Sequence, residues 1–86
     1  MYYFYVLQFT RSKKLYKGFT DNLKRRITEH RKGYSKFTSR NGEFKLIFYE
    51  AFIDKRDAMA AERYFKTGHG RDVLGGKLKY YLGGVG

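Results

Sequence analysis

The 86-residue chain contains no cysteine, which removes disulfides, thiolate zinc sites and a cysteine nucleophile together. A reducing cytoplasm is the compartment that fits. No apolar stretch approaches the roughly 20 residues needed to cross a bilayer. The opening "MYYFYVLQF" has neither a charged leader nor a small-residue cleavage site, so the chain reads as soluble and unprocessed. Acidic residues are scarce, eight Asp and Glu against 19 Lys and Arg, and the formal net charge is +11. Such a field favours polyanions, either nucleic acid or an anionic membrane surface. Residues 1–40 hold eleven of the Lys and Arg against only Asp21 and Glu29, so the basic surface belongs mainly to the first half. The basic helix lacks a broad apolar face, which argues against the membrane.

The composition is 42% hydrophobic and 20% aromatic, so a core built from Tyr and Phe is expected and disorder throughout is excluded. The length holds one domain. Residues 2–8 are nearly all β-formers with apolar side chains on both faces, as expected of a central strand. "TRSKK" separates it from "LYKGFT" at 15–20, a spacing suited to an antiparallel hairpin. If Leu7 pairs near Tyr16, then Gly18 falls opposite Tyr5, both tyrosines share a face, and space opens beside the Tyr5 ring. Thr20 or Asp21 can cap a following helix that Gly33 ends. On that helix Leu23, Ile27 and His30 form a narrow stripe flanked by Arg26. "YSKFTSRNGEF" reads as a polar, basic loop and "KLIFYEAFI" as a third strand. Asp54 caps a second helix that Gly68 is expected to stop. The glycine-rich residues 75–86, without proline or apolar period, read as a flexible tail.

Glu62 is the most informative single position. On the second helix it lies within the stripe of Ala58, Ala61 and Phe65, where an unpaired carboxylate would cost several kcal/mol without a cation beside it. The alternative is an edge residue paired with Lys66 one turn on, worth about 0.3–0.5 kcal/mol. Arg26, at the border of its own stripe, can present a planar fork to a phosphate. His30 can either assist with a proton or serve as a satisfied core histidine. Tyr5 and Tyr16 can set two hydroxyls toward one concave surface, where nearby cations would stabilise a phenolate.

Together, "YFY" at 3–5, "YKG" at 16–18, "LKRRITEH" at 23–30 and "DAMAAERYF" at 57–65 resemble the GIY-YIG nuclease superfamily in its small stand-alone bacterial form, over residues 2 to about 74. The resemblance implies an α+β fold, a three-stranded antiparallel sheet flanked by helices, with domain limits of 1–74. It implies that Tyr5 and Tyr16 match the tyrosines of the two motifs, Arg26 the helix arginine, His30 a histidine of many members, and Glu62 the ligand of a divalent metal, Mg²⁺ or Mn²⁺. Tyr3, Phe4 and Lys17 depart from the motif glycine and isoleucines. The asparagine that many members carry after the glutamate has no counterpart, since the last one here is Asn41. The implied function is metal-dependent endonuclease cleavage of DNA, directed by structure more than sequence and open to a targeting protein partner. Lys17, Arg25, Lys36 and Arg40 would contact nucleic acid. Which tyrosine acts as base stays open. The opposing readings are a non-catalytic nucleic-acid-binding module of the same fold and a small ribosomal-type RNA-binding protein. Neither needs a carboxylate facing a polyanion.

Overall fold

The computed structural model describes residues 1–33 and 36–83, without the side chains of residues 36–38. Three strands, β1 (Tyr2–Phe9), β2 (Leu15–Thr20) and β3 (Phe44–Phe52), form an antiparallel sheet in the order β2-β1-β3. The first strand is central because both of its faces are apolar: Phe4, Tyr5, Val6, Leu7 and Phe9 are all at most 1% exposed. Leu7 lies opposite Tyr16 and Tyr5 opposite Gly18, which is the expected hairpin register. The architecture is the α+β sheet with flanking helices.

Alternation along β1 divides the core. Phe4 and Val6 pack with Phe65 and Leu74 on one face, covered by α3 (Lys55–Tyr64) and α4 (Gly68–Lys77). Tyr5 and Leu7 pack with Ile27 on the other, under α1 (Leu23–Arg31). Each large side chain withdrawn from water in this way contributes about 1.5–3 kcal/mol. Gly33, at φ +77°, takes the left-handed conformation that ends α1. Asp54 caps α3 by accepting from the Arg56 amide.

Four local expectations are corrected. Asn22, not Thr20 or Asp21, caps α1, accepting from the Arg25 amide at 3.0 Å. Thr20 is still the last residue of β2, and the Asp21 carboxylate accepts from the Arg25 guanidinium at 2.9 Å. The polar segment after Gly33 contains a short helix, α2 (Lys36–Asn41), against α1. Gly68 does not stop α3, which ends at Tyr64. Instead it opens α4, whose cap Thr67 accepts from the Gly70 amide. The glycine-rich stretch is helical as far as Leu82, through α4 and α5 (Lys79–Leu82), because Leu74, Val73 and Leu78 pack on the Phe4 face. Burial there outweighs the poor helix propensity of Gly75 and Gly76. Residues 84–86 of the expected tail lie outside the described residues.

Gly70 lets α4 close on the end of α3: a Cβ there would collide with the Tyr64 carbonyl and come within 2.8 Å of the Phe65 Cα. Gly70→Ala is expected to cost at least about 1–3 kcal/mol. Gly75→Ala, with nothing within 4 Å of the added methyl, is expected to gain about 0.5–1 kcal/mol from helix propensity. Urea denaturation midpoints check both signs.

Candidate active site

The α1 face of the sheet gathers four of the expected residues into one cluster. Tyr5 projects from the middle of β1 toward α1 with its ring 1% exposed. The ring occupies the space that Gly18 leaves on β2: a Cβ at that position would lie 2.5 Å from the Tyr5 hydroxyl. The hydroxyl and His30 Nε2 share a buried 2.8 Å hydrogen bond. Tyr16, two residues before Gly18 and on the same face, brings its ring centroid to 6.2 Å from Tyr5 and 5.1 Å from His30. Arg26, one turn before His30, places its guanidinium close enough to both phenols for its charge to be felt there. Glu29 steadies it from the outer side, with Nη1 to Oε1 at 3.2 Å. Helical spacing accounts for this gathering, since residues 23, 26, 27 and 30 lie along one flank of α1.

The environment separates the ionisable groups. Burial pushes the Tyr5 phenol up to about 12, against the lowering effect of Arg26. His30 is held below its ordinary value, first by burial and then by the charge on Arg26, with Glu29 opposing. The imidazole is therefore neutral at physiological pH and able to accept a proton. Tyr16 is half-buried, next to the sealed Tyr5 ring. The arrangement offers a permanent cation for an anion and a line of groups able to pass a proton.

Glu62 stands on α3, the helix that covers the opposite face, and pairs with Lys66 at 3.4 Å with its side chain 29% exposed. Of its two sequence readings, the pair with Lys66 is the contact formed. Strand β2 lies between the two regions, because Tyr16 faces α1 while the Lys17 Nζ donates to the Phe65 carbonyl at the end of α3 at 2.8 Å. Lys17 is held below its ordinary pKa by burial, then by the neighbouring charges of Arg71 and Lys66. Arg25 is exposed and pairs with Asp21. Arg40 is exposed on α2. The Lys36 side chain lies outside the described residues.

Sequence reasoning passed over Glu29 and Phe44. Glu29 was legible as the i+3 partner of Arg26. Phe44, whose ring centroid lies 6.1 Å from His30, carried no local signal because strand pairing brings it there. Among the described residues no three His, Cys, Asp or Glu gather as a metal cage.

Alanine at an ordinary strand glycine stabilises, but at Gly18 the Tyr5 ring must move. Gly18→Ala is expected to lose about 1–3 kcal/mol, read as a lower urea midpoint with a changed near-ultraviolet tyrosine signal. An unchanged midpoint would show that the ring has room to spare.

Residues 1–75 match the family model described as the GIY-YIG catalytic domain. A UPF0213 protein of Lacticaseibacillus paracasei is 41% identical over 76 residues, covering 85% of this chain and 84% of the relative. One from Lactiplantibacillus plantarum is 43% identical over 83 residues, covering 92% and 76%. The solution NMR structure of a UPF0213 protein from Bacillus halodurans superposes with a TM-score of 0.53 at 32% identity, covering 86% of this chain and 82% of that one. With the family match spanning nearly all of the sheet and its helices, the chain belongs to the GIY-YIG family of nucleases.

Proposed function

We propose that this protein is a divalent-metal-dependent endonuclease that hydrolyses the phosphodiester backbone of DNA, selecting by shape more than by sequence. The observation that carries the reading is the meeting of Tyr5, Tyr16, Arg26 and His30 beneath Gly18. A second, half-buried phenol at Tyr16 and a permanent cation at Arg26, set against a neutral imidazole, offer a seat for an anion and a path for a proton, which phosphate binding alone does not require. The excess of basic side chains supplies phosphate affinity without base choice. A domain of this size has little surface for reading bases, leaving room for a targeting partner.

Arg26 binds a non-bridging oxygen of the scissile phosphate and stabilises the charge that builds there during attack. The attacking water gives its proton to the Tyr16 hydroxyl as that hydroxyl hands its own to Tyr5 and Tyr5 hands its own to His30 Nε2. The water oxygen forms the new bond to phosphorus, the bond to the leaving sugar oxygen breaks, and a solvent proton neutralises that oxygen. Phosphate against Arg26 also cancels part of the charge that keeps His30 from protonation, so the acceptor becomes more basic once substrate is seated.

A lone, partly exposed carboxylate at Glu62 suits Mg²⁺ or Mn²⁺, which keep several waters and use phosphate oxygens as further ligands. When bound, such an ion neutralises charge on the phosphate and the leaving oxygen. The exposed pair with Lys66 is worth only about 0.3–0.5 kcal/mol and does not hold the carboxylate against this exchange.

The test is incubation of the protein with labelled single-stranded, duplex and branched DNA, with Mg²⁺ or Mn²⁺ and with a chelator. Cleavage is expected only with metal. Tyr16→Phe and Arg26→Lys should each slow it by about 10²–10³-fold. Glu62→Gln should abolish cutting while binding at low salt survives. Equal, chelator-resistant cleavage by wild type and Glu62→Gln would discard the proposal in favour of the binding module.

A further inference from the structure

We infer that β3 is the interface of a symmetric dimer, in which the β3 strands of two copies pair antiparallel to make one six-stranded sheet. β3 is nine residues long and lies at the edge of the sheet, where among the described residues it is paired only with β1. An edge of this length exposes a row of backbone donors and acceptors, a template on which another strand can pair. This strand has no proline, and its charged residues are one lysine, Lys45, and one glutamate, Glu50. Neither forms an ion pair among the described residues.

The occupant follows from the faces of the strand. Pairing with β1 shifts register between Val6 and Leu7, so Phe48 lies opposite Val6, Leu46 lies opposite Leu7, and Ile47 is the extra residue. Ile47 and Phe48 both pack on the Phe4 cluster. Lys45 lies opposite Gln8 and Glu50 opposite Phe4, which puts both on that same face. Leu46 and Tyr49 fall on the α1 face, opposite Leu7 and Tyr5. An antiparallel strand pair brings together only side chains of like face. A regular strand meeting its own copy could not place residues of odd and even number opposite each other on one face. The bulge permits it here. With the two-fold axis between Ile47 and Phe48, Lys45 meets Glu50 of the second copy, Leu46 meets Tyr49, Ile47 meets Phe48 and Phe44 meets Ala51. Every pair matches in face, and the lysine and glutamate satisfy each other twice.

The surface beside the strand supports a second copy over solvent. Leu46 is 37% exposed, Tyr49 54% and Met1 63%. Together with Tyr3, Ile27 and Lys24 they line a groove of about 640 Å³ between β3 and α1. In the dimer this groove runs on across the axis, and the two Tyr16 clusters face the same side, five strand spacings or roughly 24 Å apart. The two charged positions tested lie on the Phe4 face, the opposite face from the catalytic cluster, so the test stands or falls separately from nuclease activity.

Sedimentation equilibrium of the full chain is expected to give twice the 10.2 kDa chain mass with concentration-dependent dissociation. Lys45→Glu and Glu50→Lys, both at solvent-accessible edge positions, should each associate at least roughly tenfold more weakly, because each places like charges opposite at both ends of the seam. Mixing the two variants should restore a dimer, since one copy then carries two glutamates where the other carries two lysines. Circular dichroism checks that each variant is folded. A wild-type monomer at all concentrations, undiminished dimers of both variants, or a mixture that stays monomeric would each overturn the interface.

Discussion

The buried hydrogen bond between the Tyr5 hydroxyl and His30 Nε2, 2.8 Å long, fixes the relation between the sheet and α1. A tyrosine sealed in a core must place its hydroxyl on a partner or lose the cost of desolvating it. His30 is that partner. The bond in turn needs Gly18, because any side chain there would claim the volume of the phenol. Three residues far apart in sequence therefore specify one another. Burial at this contact, and then the charge of Arg26 one helical turn away, hold the imidazole neutral. Core and candidate chemistry share a single set of atoms, so a change made for one is felt by the other.

The sheet acts as a partition. On one face Phe4, Val6, Phe65 and Leu74 form a dry aliphatic and aromatic layer whose task is stability. On the other the layer contains hydroxyls, an imidazole and a guanidinium, and it is stable because each of these polar groups has a neighbour to satisfy it. Among the described residues no buried side-chain nitrogen or oxygen is left without a partner. Strand β2 joins the two sides by alternation, Tyr16 facing the polar cluster and Lys17 reaching back to the Phe65 carbonyl at the end of α3. That lysine fastens α3, the helix bearing Glu62, to the edge of the sheet nearest the tyrosines.

What could be read from the chain was whatever a short span determines. The apolar run of β1 and the spacing to "LYKGFT" fixed the hairpin and its register, so Gly18 beside Tyr5 was foreseeable. The helical spacing of Leu23, Arg26, Ile27 and His30 foretold one flank. Asp54 and Gly33 announced their helix ends through capping chemistry. Apart from the α1 cap, which falls one residue beyond Asp21 at Asn22, the misses came where distant packing decides. Gly75 and Gly76 have low helix propensity, yet the burial of Leu74 with Phe4 carries the helix through them. Gly68 and Gly70 look alike in sequence, and only the approach of the Tyr64 carbonyl makes Gly70 the one that cannot change. For Glu62, the periodicity gave its face and the spacing of one turn offered Lys66, the pair that forms, but nothing local decided between that pair and an inward carboxylate. The bulge at Ile47, which places two successive side chains of β3 on one face, leaves no trace in an alternating pattern.

The direct test of the central contact is the titration of the His30 ring followed by NMR in the intact protein. With its Nε2 on the Tyr5 hydroxyl, burial around it and Arg26 beside it, the imidazole is expected to titrate below the ordinary histidine value of 6.5. Tyr5→Phe should displace its resonances. A midpoint at or above 6.5 that Tyr5→Phe leaves unmoved would contradict the account, since the histidine would then be a solvated side chain and the cluster would have no centre.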